Sequence, residues 1–247
     1  MIRRLFAAST LVIWLTVLPP ALRADERGVL IFEDDFNRNE SQESKEELSR
    51  GWGSNSKKRA AGNKQVDLKD GAMHIYRHKA ADHAVSVTHP AGFRDGSVEL
   101  KFMLAAKTDS LGLNFADLKF KEVHAGHLFV AKISTRDVQL HDLKTGNMNL
   151  KTRELRLANK LSSSRKVELK TKVRKFPHRL ESGEWHTLVV CVSGDTLSVS
   201  IDGGHVGSFS SAGIAHPTKR TLRLSVPKNA VVDDVKIFSL TASAEAD

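Results

Sequence analysis

Residues 97–104 read Ser-Val-Glu-Leu-Lys-Phe-Met-Leu, and their apolar side chains fall at every second position up to the end of the stretch. Alternate side chains of a β-strand point to opposite faces, so this stretch has one apolar face and one largely polar face. Residues 197–201 and 222–226 repeat the pattern, with serines and an arginine between the apolar residues. One buried face and one solvated face are typical of strands in an antiparallel sheet.

Short turn sequences separate the strands that this alternation predicts. They include Asp70-Gly71, Asp95-Gly96 and Asp202-Gly203. Glycine adopts the positive φ of tight hairpins, and aspartate tolerates the neighbouring position. About a dozen short strands divided in this way predict an all-β antiparallel sandwich, in which two stacked sheets bury their inner faces. Further predicted strands cover residues 29–32, 72–76, 84–88, 111–115, 128–134, 138–143, 186–192, 205–209 and 231–240.

Composition limits the remaining possibilities. The 247 residues are 40% hydrophobic and 27% charged, which suits one domain with a sizeable core, predicted here over residues 25–247. Cys191 is the sole cysteine, which excludes an intramolecular disulfide and a cysteine-rich zinc site. A polar stretch at residues 37–63 predicts a surface loop with a short helix near residues 45–48.

Residues 1–24 have the pattern of an export signal. Arg3 and Arg4 precede an apolar run that ends at Leu18, and the small residue Ala24 follows at the expected cleavage point. A basic start, a short apolar centre and a small residue at the break predict a Sec-type signal peptide, with an uncleaved anchor as the alternative. Later apolar stretches are too short for a transmembrane segment. We therefore expect an exported protein of the bacterial periplasm or the extracellular space.

Residues 144–179 depart from the strand pattern and carry a large positive charge. They hold twelve lysines and arginines against Glu154 and Glu168, whereas the whole chain has a formal net charge of +9. Apolar residues within 150–161 predict a helix, and alternation within 167–173 predicts a strand after it. The segment is therefore predicted as a basic, partly helical insertion in the sandwich.

The charge of this insertion has three interpretations. Binding of nucleic acid would use it through counterion release, but Phe176 is its single aromatic residue, and export also argues against this partner. Binding of an anionic polysaccharide or of an envelope surface uses the same electrostatics and suits an exported protein. The remaining interpretation is a solvated arm that covers a sheet edge, where lysine is common. The last two stay open.

A family resemblance begins at Gly183, where the sequence reads Gly-Glu-Trp-His-Thr-Leu-Val-Val. This stretch, with the turns at Gly194-Asp195 and Asp202-Gly203, resembles the Trp-His strand and hairpins of the concanavalin A-like, laminin G-like superfamily. The resemblance implies a jelly-roll sandwich whose first and last strands are neighbours. Because this fold hosts lectins, hydrolases and adhesion modules, it implies little about function.

Two further matches narrow the resemblance. Residues 32–36 (Phe-Glu-Asp-Asp-Phe) with Gly51-Trp52, and residues 232–237 (Val-Asp-Asp-Val-Lys-Ile), look most like the bacterial 3-keto-disaccharide hydrolase-like domain. That domain is related to family 16 of the glycoside hydrolases. The resemblance covers most of residues 29–240, and it implies hydrolysis of 3-keto-glycosides as one candidate activity.

The catalytic signature of family 16 is absent from this sequence. Retaining glycosidases need two carboxyl groups about 5–5.5 Å apart, and family 16 places them in the motif Glu-x-Asp-x-x-Glu. The match at Glu33-Asp34-Asp35 has Arg38 where the second glutamate would stand. We therefore predict no catalytic residue, although another arrangement of carboxylates stays open.

Two residues that suggest chemistry are predicted to be structural. Cys191 lies in the middle of an apolar strand, which favours an inert buried thiol over a nucleophile. Trp185 opens the same strand, which favours a place in the core over a platform for sugar.

Two groups of residues are candidate metal ligands. His124-x-x-His127 lacks the helical His-Glu-x-x-His motif, so these histidines are predicted to be incidental or to line a binding cleft. Asp34 and Asp35 should lie near Asp233 and Asp234 in the implied fold, and oxygen ligands suit calcium. A structural calcium ion there is one interpretation, and the other is that these aspartates cap strands or pair with Lys236 and Arg38.

The sequence therefore predicts an exported, non-catalytic module that binds carbohydrate, with an acidic polymer favoured by the uneven charge. A hydrolase of 3-keto-glycosides is the first alternative, and a structural or adhesion module without a sugar site is the second. The candidate ligand-binding residues are His124, His127, Arg136, Arg174 and Lys175.

Overall fold

A computed structural model describes residues 28–240, and the predicted signal peptide lies outside this range. Within it, eight strands form one antiparallel sheet and seven form a second. No helix between residues 28 and 240 is both long and apolar enough to cross a bilayer.

The eight-stranded sheet has the order β13 (Gly204–Ser210), β12 (Thr196–Ile201), β11 (Trp185–Ser193), β6 (Gly96–Met103), β15 (Asn229–Ser239), β4 (Ala72–Tyr76) and β3 (Val66–Lys69), with β1 (Val29–Asp34) also paired to β15. The seven-stranded sheet has the order β10 (Val173–Pro177), β9 (Asp137–Asp142), β8 (His127–Ser134), β7 (Ser110–Ala116), β14 (Lys219–Val226), β5 (Val85–Phe93) and β2 (Gly53–Ser54).

The core lies between the two sheets, as the alternation predicts. Leu100 and Phe102 of β6 are fully buried, and so are Phe115 and Phe129, whose rings stack 4.9 Å apart. Burying each such side chain contributes about 1.5–3 kcal/mol. The first and last strands are neighbours, since β1 pairs with β15. The predicted jelly-roll β-sandwich is confirmed.

The short helix predicted in the polar stretch after β1 lies further along the chain than predicted. Residues 45–48 are not helical, and α1 spans Ser56–Arg59. The carboxylate of Glu46 accepts hydrogen bonds from Ser56 and from the backbone N–H groups of Gln65 and Val66. These contacts hold residues 45–48 as an irregular segment against the start of β3.

The basic insertion contains two helices, α2 (Leu150–Leu157) and α3 (Ser163–Thr171), followed by β10. The strand predicted over residues 167–173 is wrong up to Thr171. Ser162 caps α3 by accepting a hydrogen bond from the Arg165 N–H at 3.1 Å, and Val167 is 63% exposed, so its alternation marks no buried face. β10 pairs with β9 at the edge of the seven-stranded sheet.

Trp185 and Cys191 lie on the outer side of β11. Trp185 is 46% exposed, so its predicted place in the core is wrong. Its neighbour His186 takes the inward position and lies 5.7 Å from the ring of Phe102. Cys191 is half-buried, and burial raises the pKa of its thiol, which favours the protonated, unreactive form.

Candidate functional site

The outer face of the seven-stranded sheet carries two adjacent rows of mainly polar and basic side chains. The alternate residues, such as Leu113 and Leu224, belong to the core, so these rows face away from it. We call the two rows, together with His127 at the start of β8, the basic face. From β5 to β10, the first row consists of Thr88, Arg223, Asn114, Val130, His141 and Val173. The second consists of Ser86, Ser225, Gly112, Lys132, Gln139 and Lys175.

Arg223 lies in the middle strands of this face and is held by a histidine. Its Nη1 is 3.0 Å from Nε2 of His127 and 3.1 Å from Nδ1. Nδ1 of His127 is also 3.0 Å from Oδ1 of Asn114, which is only 4% exposed. We assign a neutral imidazole whose Nδ1–H donates to Asn114, while the guanidinium contacts both ring nitrogens at nearly equal distances. Asn114 therefore orients His127, and His127 orients the guanidinium.

Burial decides the protonation of the histidines on this face. Burial, reinforced by the positive charge of Arg223, lowers the pKa of His127 to about 3. Burial and then the charge of Lys132 lower the pKa of His141 to about 4. Both rings are therefore neutral at pH 7, and the positive charge of the face resides on arginine and lysine.

Arg223 has no acidic partner within residues 28–240, where none of the ion pairs includes it. Besides His127, its closest acceptor is the backbone carbonyl of Ala125, 3.4 Å from Nη2. The side chain is half-buried, and this burial lowers the pKa of the guanidinium, which stays charged at neutral pH. A half-buried charge without a counter-charge is unfavourable for folding, so its presence points to a function.

His124 stands beside the face in the tight turn before β8. Gly126 of this turn has φ +71°, and a Cβ there would lie 2.6 Å from the carbonyl oxygen of Asp117. The turn is fastened to the basic insertion, because the His124 N–H donates to the carbonyl of Met148 at 2.8 Å. Partial burial of the largely exposed His124 ring, and then the charges of Arg153, Arg223 and Arg59, lower its pKa. The arginine of α2 therefore contributes to the positive field beside Arg223.

The other predicted ligand residues are dispersed. Lys175 is on the basic face, where its Nζ is 3.0 Å from Asp137. Arg174 points to the opposite side of β10 and lies over the ring of Phe209, 5.3 Å from its centroid. Arg136 is in the turn between β8 and β9, at the other end of β8 from His127. The five residues therefore do not line one surface: only His124 and His127 lie next to Arg223.

Carboxylates are scarce on the basic face. Asp137 at the end of β9 is adjacent to the second row, and its carboxylate is engaged by Lys175 and by Gln139 at 2.8 Å. The two rows themselves contain no aspartate or glutamate. The acidic motif Glu33-Asp34-Asp35 begins in β1 of the other sheet. A glycosidase pair of carboxyl groups is therefore missing from this face.

The aspartates proposed for calcium are engaged with basic and N–H groups. Asp34 is 1% exposed, and its carboxylate accepts from Arg38 at 2.7 Å and from the indole of Trp52 at 2.9 Å. Asp234 pairs with Lys101 at 2.5 Å. Across residues 28–240 there is no group of three or more acidic, histidine or cysteine side chains arranged for a metal ion. The alternative of basic partners is thus observed for Asp34, and calcium remains a prediction.

Sequence reasoning missed Arg223 and Asn114 as site residues. The alternation of residues 222–226 already placed Arg223 on a solvated face. Its significance depends on the strand order, because β14 lies next to β7 although more than a hundred residues separate them in sequence. That neighbourhood brings Asn114 and His127 to the guanidinium.

Several solved structures with a similar fold are carbohydrate-active proteins by their names. A non-specific endo-β-1,3(4)-glucanase of family GH16, SCLam, matches with a TM-score of 0.58 and 14% identity over 89% of this chain and 93% of its own. The laminarinase from Rhodothermus marinus matches with a TM-score of 0.58 and 11% identity over 87% and 98%. The carbohydrate binding module CBM66 from Bacillus subtilis matches with a TM-score of 0.50 and 12% identity over 75% and 93%. These likenesses show that the chain has the concanavalin A-like jelly-roll fold found in GH16 enzymes.

No model of a known protein family matches the sequence, and no curated protein matches it. The fold is therefore secured by structural similarity, while the function has to be argued from the side chains.

Proposed function

We propose that this protein is an exported, non-catalytic module that binds an acidic polysaccharide on the basic face. The observation that carries the proposal is the composition of this face. Arg223 and Lys132 have no acidic partner within the described chain, and the rows that hold them contain no carboxylate. A sugar polymer with negative charges would complement this surface and would be attracted to it before contact.

The comparisons support carbohydrate as the ligand class. Both a carbohydrate-binding module and glucan-degrading enzymes share the fold of this chain at 11–14% identity. The pattern of residues 1–24 supports export, which would place the protein among envelope or extracellular polysaccharides. Arg153 of the basic helix α2 lies close enough to His124 to lower its pKa, so this helix adds positive charge at one end of the face.

The absence of paired carboxylates on the basic face favours binding over hydrolysis. General acid–base cleavage of a glycosidic bond uses two carboxyl groups on either side of that bond. Asp137 is a single carboxylate, and it is already held by Lys175. The hydrolase of 3-keto-glycosides would therefore need a catalytic arrangement elsewhere on the molecule.

Affinity electrophoresis of the purified protein tests the proposal, with polygalacturonate, alginate and neutral laminarin in the gel. We expect retardation by the acidic polymers, weakening as salt rises from 50 to 500 mM because the Debye length then shortens from about 14 Å to about 4 Å. Lys132→Gln should reduce the retardation. Lys101→Gln, with the same charge change on the outer face of the other sheet, should not.

Equal mobility in all three gels would contradict the proposal. Turnover of a 3-keto-disaccharide by the same preparation would favour the hydrolase instead. Recovery of a protein partner by crosslinking, without glycan binding, would favour an adhesion module.

A further inference from the structure

We infer that Arg223 is the binding site for one carboxylate of the saccharide, so that the ligand contains uronic acid units. This inference rests on the proposed function and goes beyond it, because it assigns one recognised chemical group to one side chain. It separates general attraction by the face from specific recognition at its centre.

Several N–H groups of the Arg223 guanidinium are available as hydrogen-bond donors. Arginine carries five N–H donors in a rigid, planar fork. One nitrogen is occupied by His127 at 3.0 Å, and the other has only the carbonyl of Ala125 at 3.4 Å. Within the described part of the chain, the remaining donors have no acceptor. A carboxylate is planar and presents two oxygens, so it matches such a fork in a bidentate geometry.

The guanidinium is also held in place before any ligand arrives. Asn114 fixes His127, and the His127 ring contacts Nη1 of Arg223, so the fork loses little freedom on binding. The surrounding floor is buried, since Asn114 and Val130 are each 4% exposed. Charges interact more strongly in such a partly dehydrated site than they do in open water.

Neighbouring charges do not satisfy Arg223. Arg153 and the exposed His124 lie on the insertion side, and Arg59 lies on the side of α1. Of these, Arg59 has its own acidic partner, Asp82, at 3.2 Å. Within the described residues no acidic side chain pairs with Arg223, so an anionic group from outside would supply the missing counter-charge. Lys132, by contrast, is exposed and suits diffuse attraction of the polymer chain.

Isothermal titration calorimetry of the purified full chain tests this assignment, with trigalacturonate, a sulfated trisaccharide and neutral laminaritriose as probes. We expect trigalacturonate to bind to the unmodified protein. Arg223→Gln should reduce the affinity for it at least about tenfold, which corresponds to about 1.4 kcal/mol. Arg223→Lys keeps the charge but loses the fork, so it should recover only part of the affinity. Lys101→Gln should bind as the unmodified protein does.

His127→Gln provides a second variant in case changes at Arg223 impair folding. Because His127 is a positioning residue, its loss should weaken the binding of trigalacturonate severalfold. The salt dependence of binding should stay unchanged, because no charge is removed.

The possible failures are distinguishable. If no saccharide binds the unmodified protein, the proposed function fails. If acidic saccharides bind but Arg223→Gln and His127→Gln leave the affinity unchanged, the proposed function stands and the carboxylate site is refuted. Equal, Arg223-dependent binding of the sulfated trisaccharide would refute specificity for uronic acid.

Discussion

The two outer faces of the sandwich arise from the same strand alternation, but they differ in whether their charged side chains have partners of opposite charge. On the eight-stranded sheet, Lys101 pairs with Asp234 at 2.5 Å and Lys69 pairs with Asp67 at 3.3 Å. On the basic face, Arg223 is half-buried without an acidic partner in the described chain. Folding requires only that the inner residues be apolar, so the outer faces are free to differ. Unpaired charge on one face therefore points to binding there.

Loss of a paired carboxylate in the eight-stranded sheet should have the largest effect. Asp34→Asn removes the charge that accepts from Arg38 at 2.7 Å and 3.0 Å and from Trp52. Removing one member of a buried pair leaves the other charge uncompensated, so we expect a loss of about 3 kcal/mol in the free energy of unfolding. Urea denaturation measures it.

The neighbouring exposed residue provides the control for this change. Asp35→Asn makes the same substitution at the next residue, where the aspartate is exposed. It should lower the free energy of unfolding by less than about 0.5 kcal/mol. Similar losses in the two variants would show that the contacts of Asp34 are not stabilising.

The pH dependence of the free energy of unfolding should distinguish the histidine of the basic face from a histidine on the other sheet. The pKa of His127 is about 3 in the folded protein, below the ordinary value of 6.5, so the unfolded chain binds more protons between these values. The stabilisation is therefore complete above pH 6.5 and is lost as the pH falls towards 3. His127→Gln should reduce the slope of stability against pH by up to about 1.4 kcal/mol per unit.

The control for the pH series is His205→Gln in β13, where the side chain is exposed. A difference in slope between the two variants is then specific to His127. An unchanged slope in His127→Gln would contradict the burial of a neutral imidazole beside Arg223.

Replacing an unpaired charge should have the smallest effect and the opposite sign. Arg223→Met relieves a half-buried charge, so we expect the free energy of unfolding to rise by about 0.5 kcal/mol or more. Lys101→Met breaks an exposed ion pair and should lower it by about 0.5 kcal/mol. Thermal and urea denaturation of both variants compare the two faces directly. A larger loss in Arg223→Met than in Lys101→Met would mean that Arg223 stabilises the fold and is not reserved for a ligand.

Most of the fold could be predicted from local sequence because burial enforces the period of two. Residues 97–103 and 222–226 follow that period and lie within β6 and β14. Prediction failed where alternation was not a sign of burial, as in α3, whose Val167 is exposed. It also failed at Trp185, because a large aromatic residue at the start of a strand can take either face.

The candidate site was less predictable, because it depends on contacts between strands distant in sequence. His124 and His127 could be selected as a pair from their spacing alone. Arg223 could not be linked to them, since β14 lies beside β7 only in the folded sheet. Arg174 and Lys175 looked equivalent in a basic stretch, yet adjacent residues of β10 point to opposite sides.

Backbone NMR during titration with trigalacturonate tests the central claim most directly, since it locates binding on one face or the other. We predict chemical-shift changes at Thr88, Asn114 and His141 of the basic face, with Lys101 and Thr187 of the opposite outer face unchanged. Changes centred on Lys101 and Thr187, or no changes at millimolar ligand, would contradict the assignment of this surface to acidic carbohydrate.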